Sequence, residues 1–114
     1  MGNIAETVVQ RQLEAYNARD LARYLAEFAE DIRLYRLPAT EPAITGKQAF
    51  GEFYAKERFN RPTLHAQLLN RMVLGNKVID HERISGVRDE PFEMAVAYQV
   101  VEGRIAVMWA IDGA

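Results

Sequence analysis

Two pairs of strand-like segments in the second half of the chain constrain its fold most. Gly75-Asn76 joins the first pair and Glu102-Gly103 joins the second, and two-residue turns of this kind are typical of tight β-hairpins. β-branched residues, which favour strands, are concentrated in these segments. We therefore predict a largely antiparallel sheet whose strands run over Leu64 to Leu74, Lys77 to Ser85, Phe92 to Val101 and Arg104 to Asp112.

The first half has helical spacing, interrupted by one strand and one loop. A helix is predicted where the residues of one face recur every three or four positions, at Val8, Val9, Gln12, Leu13 and Tyr16. Asp20 is the predicted N-cap of a second short helix that has Leu21, Tyr24, Leu25 and Phe28 on one face. Ile32 to Leu37 alternates as a strand does, and Pro38 to Gly46 is a loop. Thr45 and Gln48 have the spacing of a capping box that begins a third helix. Helices followed by strands indicate an α+β fold with the helices on one face of the sheet.

Composition excludes several classes of protein. The chain has 114 residues, which predicts a single domain over 1–114, and its net charge of −2 is unlike that of a nucleic-acid binder. The absence of cysteine excludes disulfides and thiolate metal sites. No apolar run reaches the ~20 residues of a membrane span, and Met1 to Glu6 does not have the pattern of a signal peptide. We therefore expect a cytoplasmic protein. No phosphate-binding loop is present, so we expect no nucleotide or flavin cofactor.

Five short segments distributed along the chain resemble one known superfamily. They are Val8 to Arg11, Tyr16 to Leu21, Phe28 to Asp31, Gly46 to Phe50 and Glu52 to Ala55. Together with the order of elements, they resemble the nuclear transport factor 2-like superfamily, in the branch of ketosteroid isomerases and SnoaL-like polyketide cyclases. The resemblance implies a curved antiparallel sheet wrapped on three N-terminal helices as a cone. It also implies a cavity for a small hydrophobic molecule, and a homodimer formed through the outer sheet face, where we expect Leu68, Met72, Ile79 and Trp109.

The catalytic residues of the isomerases do not carry over. By the resemblance, the phenol, the carboxylate base and the protonated acid of those enzymes fall on Gln12, Arg36 and Val96. Only Phe53 and Tyr54 match, so the chain is not expected to be a ketosteroid isomerase.

The chain matches one of the two catalytic residues of a dehydratase branch of the same superfamily. His65 falls on the catalytic histidine of that branch, whereas Asn17 falls on the aspartate that orients it. Asparagine can bond an imidazole but cannot stabilise an imidazolium as a carboxylate does, so the resemblance supports elimination chemistry only in part.

Asp80-His81-Glu82-Arg83 places four ionisable residues in the middle of one predicted strand. A two-residue turn at Gly75-Asn76 sets Arg71 opposite Asp80, and alternation sends Asp80 and Glu82 to one face. The resemblance turns that face inward. The candidate catalytic residues are then His65 as acid or base, the carboxylates Asp80 and Glu82, and Arg71, which would hold an oxyanion. Ligand contacts are expected from Tyr16, Asn17, Arg36, Phe53, Tyr54, Gln67, Tyr98 and Met108.

Structural interpretations of the same residues stay open. Arg71 and Asp80 have the spacing of a cross-strand ion pair, and Glu82 would extend that pair into a small structural network. His65 has the alternative of being a structural histidine held by hydrogen bonds. No metal site is expected, because one strand face offers only two of the adjacent ligands and Arg71 would repel a cation. The functions left open are cofactor-free isomerisation, cyclisation, dehydration or hydrolysis, non-catalytic binding of a small hydrophobic molecule, and a dimerisation or adaptor role.

Overall fold

The computed structural model describes residues 3–113, so the first two residues of the segment considered as a signal peptide lie outside it. The elements in chain order are α1 (Ile4–Asn17), α2 (Leu21–Ala26), β1 (Phe28–Arg36), β2 (Ile44–Thr45), α3 (Lys47–Glu57), β3 (His65–Leu74), β4 (Lys77–Ser85), β5 (Phe92–Val101) and β6 (Arg104–Asp112). None of the helices within 3–113 combines the length and the apolar composition that crossing a bilayer requires.

The strands form one curved sheet in the order β2-β1-β6-β5-β4-β3. The two predicted hairpins are β3–β4 and β5–β6, and both are antiparallel. The predicted α+β class is confirmed, with one addition to the sheet. β1, the strand from the helical half, lies beside β6, the last strand of the meander, and runs parallel to it.

Three predictions for the first half are wrong. The predicted loop Pro38 to Gly46 contains β2, which pairs with β1. Phe28 begins β1 instead of lying on the second helix, and its ring packs 4.8 Å from that of Tyr24 and 4.6 Å from that of Phe50. Burial alone, which is complete for Phe28, does not distinguish the two placements. The third helix has Gly46 at its N-cap with φ of 91° and no side-chain cap, so the Thr45 capping box is not formed. The cap at Asp20 is confirmed, since its side chain accepts from the Arg23 amide.

A ring cluster between the helices and the inner face of the sheet anchors the core. Tyr24 of α2 lies at its centre and is almost completely buried. Its ring centroid is within 6.1 Å of those of Tyr16, Phe28, Phe50, Tyr54 and Phe59. Tilted aromatic pairs at such distances stabilise a core beyond their area burial. The cluster fixes α2 and α3 against the sheet and leaves a pocket beside it.

A β-bulge in β3 changes which residues face inward. From Leu74 to Asn70 the pairing with β4 follows the turn, so that Arg71 lies opposite Asp80 as predicted. The register then shifts between Leu68 and Asn70, and the extra residue reverses the alternation of side chains. Leu68 therefore packs against the core, and its predicted place on the outer face is wrong.

Candidate functional site

A pocket opens between α1, α3 and the inner face of the sheet. The space that the centre of a water-sized sphere can occupy in it is about 50 Å³, and the whole empty space, open solvent included, is about 590 Å³. The enclosed end is formed by buried residues that include Gln12, Tyr16, Tyr54, Glu82, Tyr98 and Met108. More exposed residues form the mouth, namely Arg36, Phe53, Arg58, Phe92, Met94 and Ala110. An apolar concave site with a few polar groups is the usual form of a small-molecule pocket.

Glu82 of β4 is a buried carboxyl group in the wall of this pocket. It is 5% exposed, and within residues 3–113 no side chain donates a hydrogen bond to it. Its pKa is raised to about 8, mainly by burial and also by the charge of Asp80, although the charge of Arg71 acts in the opposite direction. At neutral pH the carboxyl group is therefore mostly protonated. A group that gains and loses its proton near pH 7 is suited to general acid–base catalysis.

Gln12 places an unpaired acceptor in the same pocket. Its Oε1 is buried and has no hydrogen-bond partner, and it is the one side-chain atom in that condition among the described residues. A buried acceptor without a donor costs about 1–3 kcal/mol. A ligand hydroxyl group would remove that cost by donating to Gln12.

The buried phenols of the pocket remain protonated. Burial is the main cause that raises the pKa values of Tyr16, Tyr54 and Tyr98, and the charge of Glu82 raises all three further. The three hydroxyl groups are thus hydrogen-bond donors over the whole physiological pH range.

Asp80 lies two residues before Glu82 on the same face but is fully paired. Arg71 holds it with two hydrogen bonds, from Nε to Oδ1 at 2.7 Å and from Nη2 to Oδ2 at 3.0 Å. Arg71 Nη1 also donates to Gln10 Oε1 at 2.8 Å. Neither Arg71 nor Asp80 lines the pocket. The pair is a buried cross-strand ion pair that influences Glu82 by its charge alone.

Comparison with known proteins identifies the family. Residues 9–108 match the family model of the SnoaL-like domain. The chain belongs to the SnoaL-like domain family, within the nuclear transport factor 2-like superfamily. No curated protein sequence matches the chain significantly.

Solved structures share the fold of this SnoaL-like domain at low identity. A Kribbella flavida protein provisionally described as a ketosteroid isomerase has a TM-score of 0.84 at 18% identity, with 97% of this chain and 78% of that chain covered. An LEH-like epoxide hydrolase from Mycobacterium tuberculosis has a TM-score of 0.81 at 15% identity, with 96% and 82% covered. RV0760c from the same organism, in complex with estradiol-17β-hemisuccinate, has a TM-score of 0.80 at 18% identity, with 96% and 93% covered. At these identities the likeness establishes the fold alone.

The predicted placement of His65 and Gln67 in the cavity of this SnoaL-like domain is wrong. Both side chains are exposed, and neither lines the pocket. The bulge near Leu69 is the cause, since it turns Ala66 inward and its two neighbours outward.

Asn17 was predicted to contact the ligand and instead holds the edge of the sheet. Its amide nitrogen donates to the Ala66 carbonyl at 2.9 Å, and its Oδ1 accepts from the Ala66 amide at 2.7 Å. β3 is an edge strand, so these backbone groups have no partner strand on that side. The position that carries an orienting aspartate in the dehydratase branch therefore has a structural role here.

The other predicted ligand residues line the pocket. They are Tyr16, Arg36, Phe53, Tyr54, Tyr98 and Met108. Gln12 and Val96 also line it, so all three positions where the isomerases carry catalytic groups reach this pocket.

Two polar groups of the site, those of Gln12 and Arg58, are not among the residues predicted from the sequence. Gln12 could have been found as a polar residue on the apolar face of α1, a position where such a residue needs a partner. Arg58 follows α3 and is part of no pattern. Within residues 3–113, no three His, Asp or Glu side chains are placed to hold a metal ion together.

Proposed function

We propose that this SnoaL-like domain binds a small hydrophobic molecule in its pocket and uses Glu82 as a general acid–base. The reaction would be cofactor-free, of the isomerisation, cyclisation, dehydration or hydrolysis type. The supporting observation is the carboxyl group of Glu82, which faces the pocket, is buried, accepts no hydrogen bond from a described side chain and has its pKa raised to about 8. Such a group can give a proton to a ligand oxygen and take one from carbon afterwards.

The neighbouring groups suit that chemistry. The phenols of Tyr16, Tyr54 and Tyr98 stay protonated, so any of them can donate a hydrogen bond to negative charge that develops on a ligand oxygen. Gln12 Oε1 can accept from a ligand hydroxyl group. Two structures of the same fold, the epoxide hydrolase and the steroid complex, are consistent with a pocket of this kind.

The test of catalysis compares Glu82→Gln with the parent protein. Compounds that raise the melting temperature are collected from a library of cyclic hydrophobic molecules, and their conversion is followed by chromatography. We expect Glu82→Gln to lower turnover about 10²–10⁴-fold while ligand binding persists. Glu90→Gln, which changes an exposed carboxylate outside the pocket, is the matched control. Equal turnover by the parent and Glu82→Gln would contradict the role of Glu82.

A second candidate function is binding without catalysis. It is favoured by Gln12, Arg36 and Val96, because these pocket residues replace the catalytic groups expected from the isomerases. This function predicts ligands that stabilise the parent protein and are recovered unchanged. A product that the parent protein forms and Glu82→Gln does not form would exclude binding without catalysis.

We also propose a homodimer formed through the outer face of the sheet. Met72, on β3, is 54% exposed, and Ile111, on β6, is 46% exposed. Tyr35 of β1 and Trp109 of β6 stack on neighbouring strands, with ring centroids 6.4 Å apart. Light scattering at micromolar concentration should give twice the 13.0 kDa chain mass, and Met72→Glu should shift the mass to that of one chain. A parent protein of 13.0 kDa would refute the dimer.

A further inference from the structure

Two arginine side chains lie together at the mouth of the pocket. Arg36 is the last residue of β1, and Arg58 directly follows α3. Both approach the ring of Phe53, with their guanidinium carbons 5.1 Å and 5.5 Å from its centroid. Contact with an aromatic face orients a guanidinium group without neutralising it. All three residues line the pocket.

These two arginines differ from the paired arginines of the chain. Within residues 3–113 neither Arg36 nor Arg58 forms an ion pair with a carboxylate. Arg58 donates to the backbone carbonyl of Glu57 and contacts the hydroxyl group of Tyr16. Carboxylate partners are present for three other arginines, in the pairs Arg11–Glu27, Arg71–Asp80 and Arg88–Asp112. The mouth therefore has two positive charges that the protein does not neutralise.

The rest of the pocket does not supply the missing negative charge at neutral pH. Apart from the amide of Gln12 and the carboxyl group of Glu82, its other wall residues are apolar or phenolic, and that carboxyl group is mostly protonated. Uncompensated positive charge at the open end of a low-dielectric pocket attracts anions. Guanidinium groups also match the planar, bidentate geometry of a carboxylate.

We propose that the ligand of this pocket is an amphipathic carboxylic acid, with its apolar ring body inside and its carboxylate at Arg36 and Arg58. This inference rests on the proposed function, since it requires that the pocket binds a small hydrophobic molecule, and it adds the charge and the orientation of that molecule. The apolar body lies against Tyr16, Tyr98 and Met108, and the end remote from the carboxylate reaches Glu82 and Gln12.

The experiment uses matched pairs of acid and amide. The probes are 2-naphthylacetate with 2-naphthylacetamide, and 1-adamantaneacetate with 1-adamantaneacetamide, with affinities measured by isothermal titration calorimetry. Within each pair the apolar body is the same and only the charge differs. We expect at least one acid to bind about tenfold or more tightly than its amide, because hydrogen bonds to charged groups are the stronger ones. This preference should decrease as salt is added.

Substituting the two arginines tests whether the preference for the acid over its amide comes from the mouth of the pocket. Arg36→Gln, alone and combined with Arg58→Gln, should remove most of the preference for the acid and leave the affinity for the amide within about twofold. Arg83→Gln is the matched control, because Arg83 is exposed and lies outside the pocket. Circular dichroism checks that each variant is folded.

The outcomes separate this inference from the proposed function. If an acid and its amide bind equally, and Arg36→Gln changes neither, the inference is overturned while binding in the pocket stands. If the preference for the acid persists in the double variant, the carboxylate is held elsewhere and the inference is likewise overturned. If no member of either pair binds to the parent protein, the proposed small-molecule pocket and the inference both fail.

Discussion

Asp80 and Glu82 lie on the same strand, point to the same side of the sheet and are both buried, yet their surroundings are opposite. Asp80 has both carboxylate oxygens bonded to Arg71. Glu82 has Leu68 as its cross-strand neighbour on β3 and no hydrogen-bond donor among the described side chains. A buried carboxyl group without a donor is more stable in its protonated form, whereas a paired one remains charged. The residue across the strand thus separates an ion-paired carboxylate from one without a charged partner.

The β-bulge preserves this difference. It turns His65 and Gln67 outward, so the strand beside Glu82 presents Ala66 and Leu68 to the interior. With an uninterrupted register, an imidazole and an amide would have shared the inner face with Glu82. The irregularity of β3 therefore keeps the environment of Glu82 apolar while Arg71, beyond the bulge, still reaches Asp80.

The largest effect is expected from removing the partner of Asp80. Arg71→Ala leaves a fully buried carboxylate without its two charged hydrogen bonds, and breaking such a pair costs about 3–5 kcal/mol. Urea denaturation followed by circular dichroism should show this loss in the free energy of unfolding. Arg23→Ala, an exposed position on α2, should change it by less than about 0.5 kcal/mol. Equal stability of the two variants would refute the structural role of the pair.

Glu82 should make the stability of the parent protein dependent on pH. Its pKa is raised from 4.5 to about 8 by folding, so between these values the folded state binds the proton more strongly than the unfolded state. Stability should then decrease as pH rises, by about 1.4 kcal/mol per unit at most. Between about pH 5.5 and 7.5, the parent should lose roughly 2–3 kcal/mol relative to Glu82→Gln. A constant difference between the two proteins over that range would contradict the raised pKa.

A smaller effect should follow when the charge of Asp80 is removed while its size is kept. Asp80 raises the pKa of Glu82 and Arg71 lowers it, so Asp80→Asn leaves the lowering charge unopposed. The pH at which Glu82 titrates, obtained by comparing Asp80→Asn with the double variant Asp80→Asn/Glu82→Gln, should shift downward. An upward shift would show that the two carboxyl groups do not interact as described.

The smallest effect is expected at His65. Its side chain is exposed, so His65→Ala should change the free energy of unfolding by less than about 0.5 kcal/mol. It should also leave unchanged the turnover of any substrate that Glu82→Gln impairs. A loss of turnover as large as that of Glu82→Gln would mean that His65 reaches the ligand despite its outward position.

Features that depend on neighbouring residues could be predicted from the sequence, whereas features that depend on distant contacts could not. The pairing of Arg71 with Asp80 followed from the turn residues, because a two-residue turn determines the register of the positions next to it. The same rule failed six positions from the turn, because nothing in the residue types indicates the bulge at Leu69. Thr45 and Gln48 had the spacing of a capping box, but the chain enters α3 through Gly46 at a positive φ.

The sequence by itself determined the α+β class and the two hairpins, since these depend on periodicity and on the chemistry of short segments. The family resemblance added seven of the eighteen residues that line the pocket. Only the tertiary structure decided which ionisable groups are paired, which face the pocket and which face solvent. Those outcomes depend on the register across β3 and β4 and on the approach of α1 and α3 to the sheet. Side chains alternate at every residue of a strand, so one extra residue exchanged His65 for Ala66 and left Glu82 as the unpaired acid of the pocket.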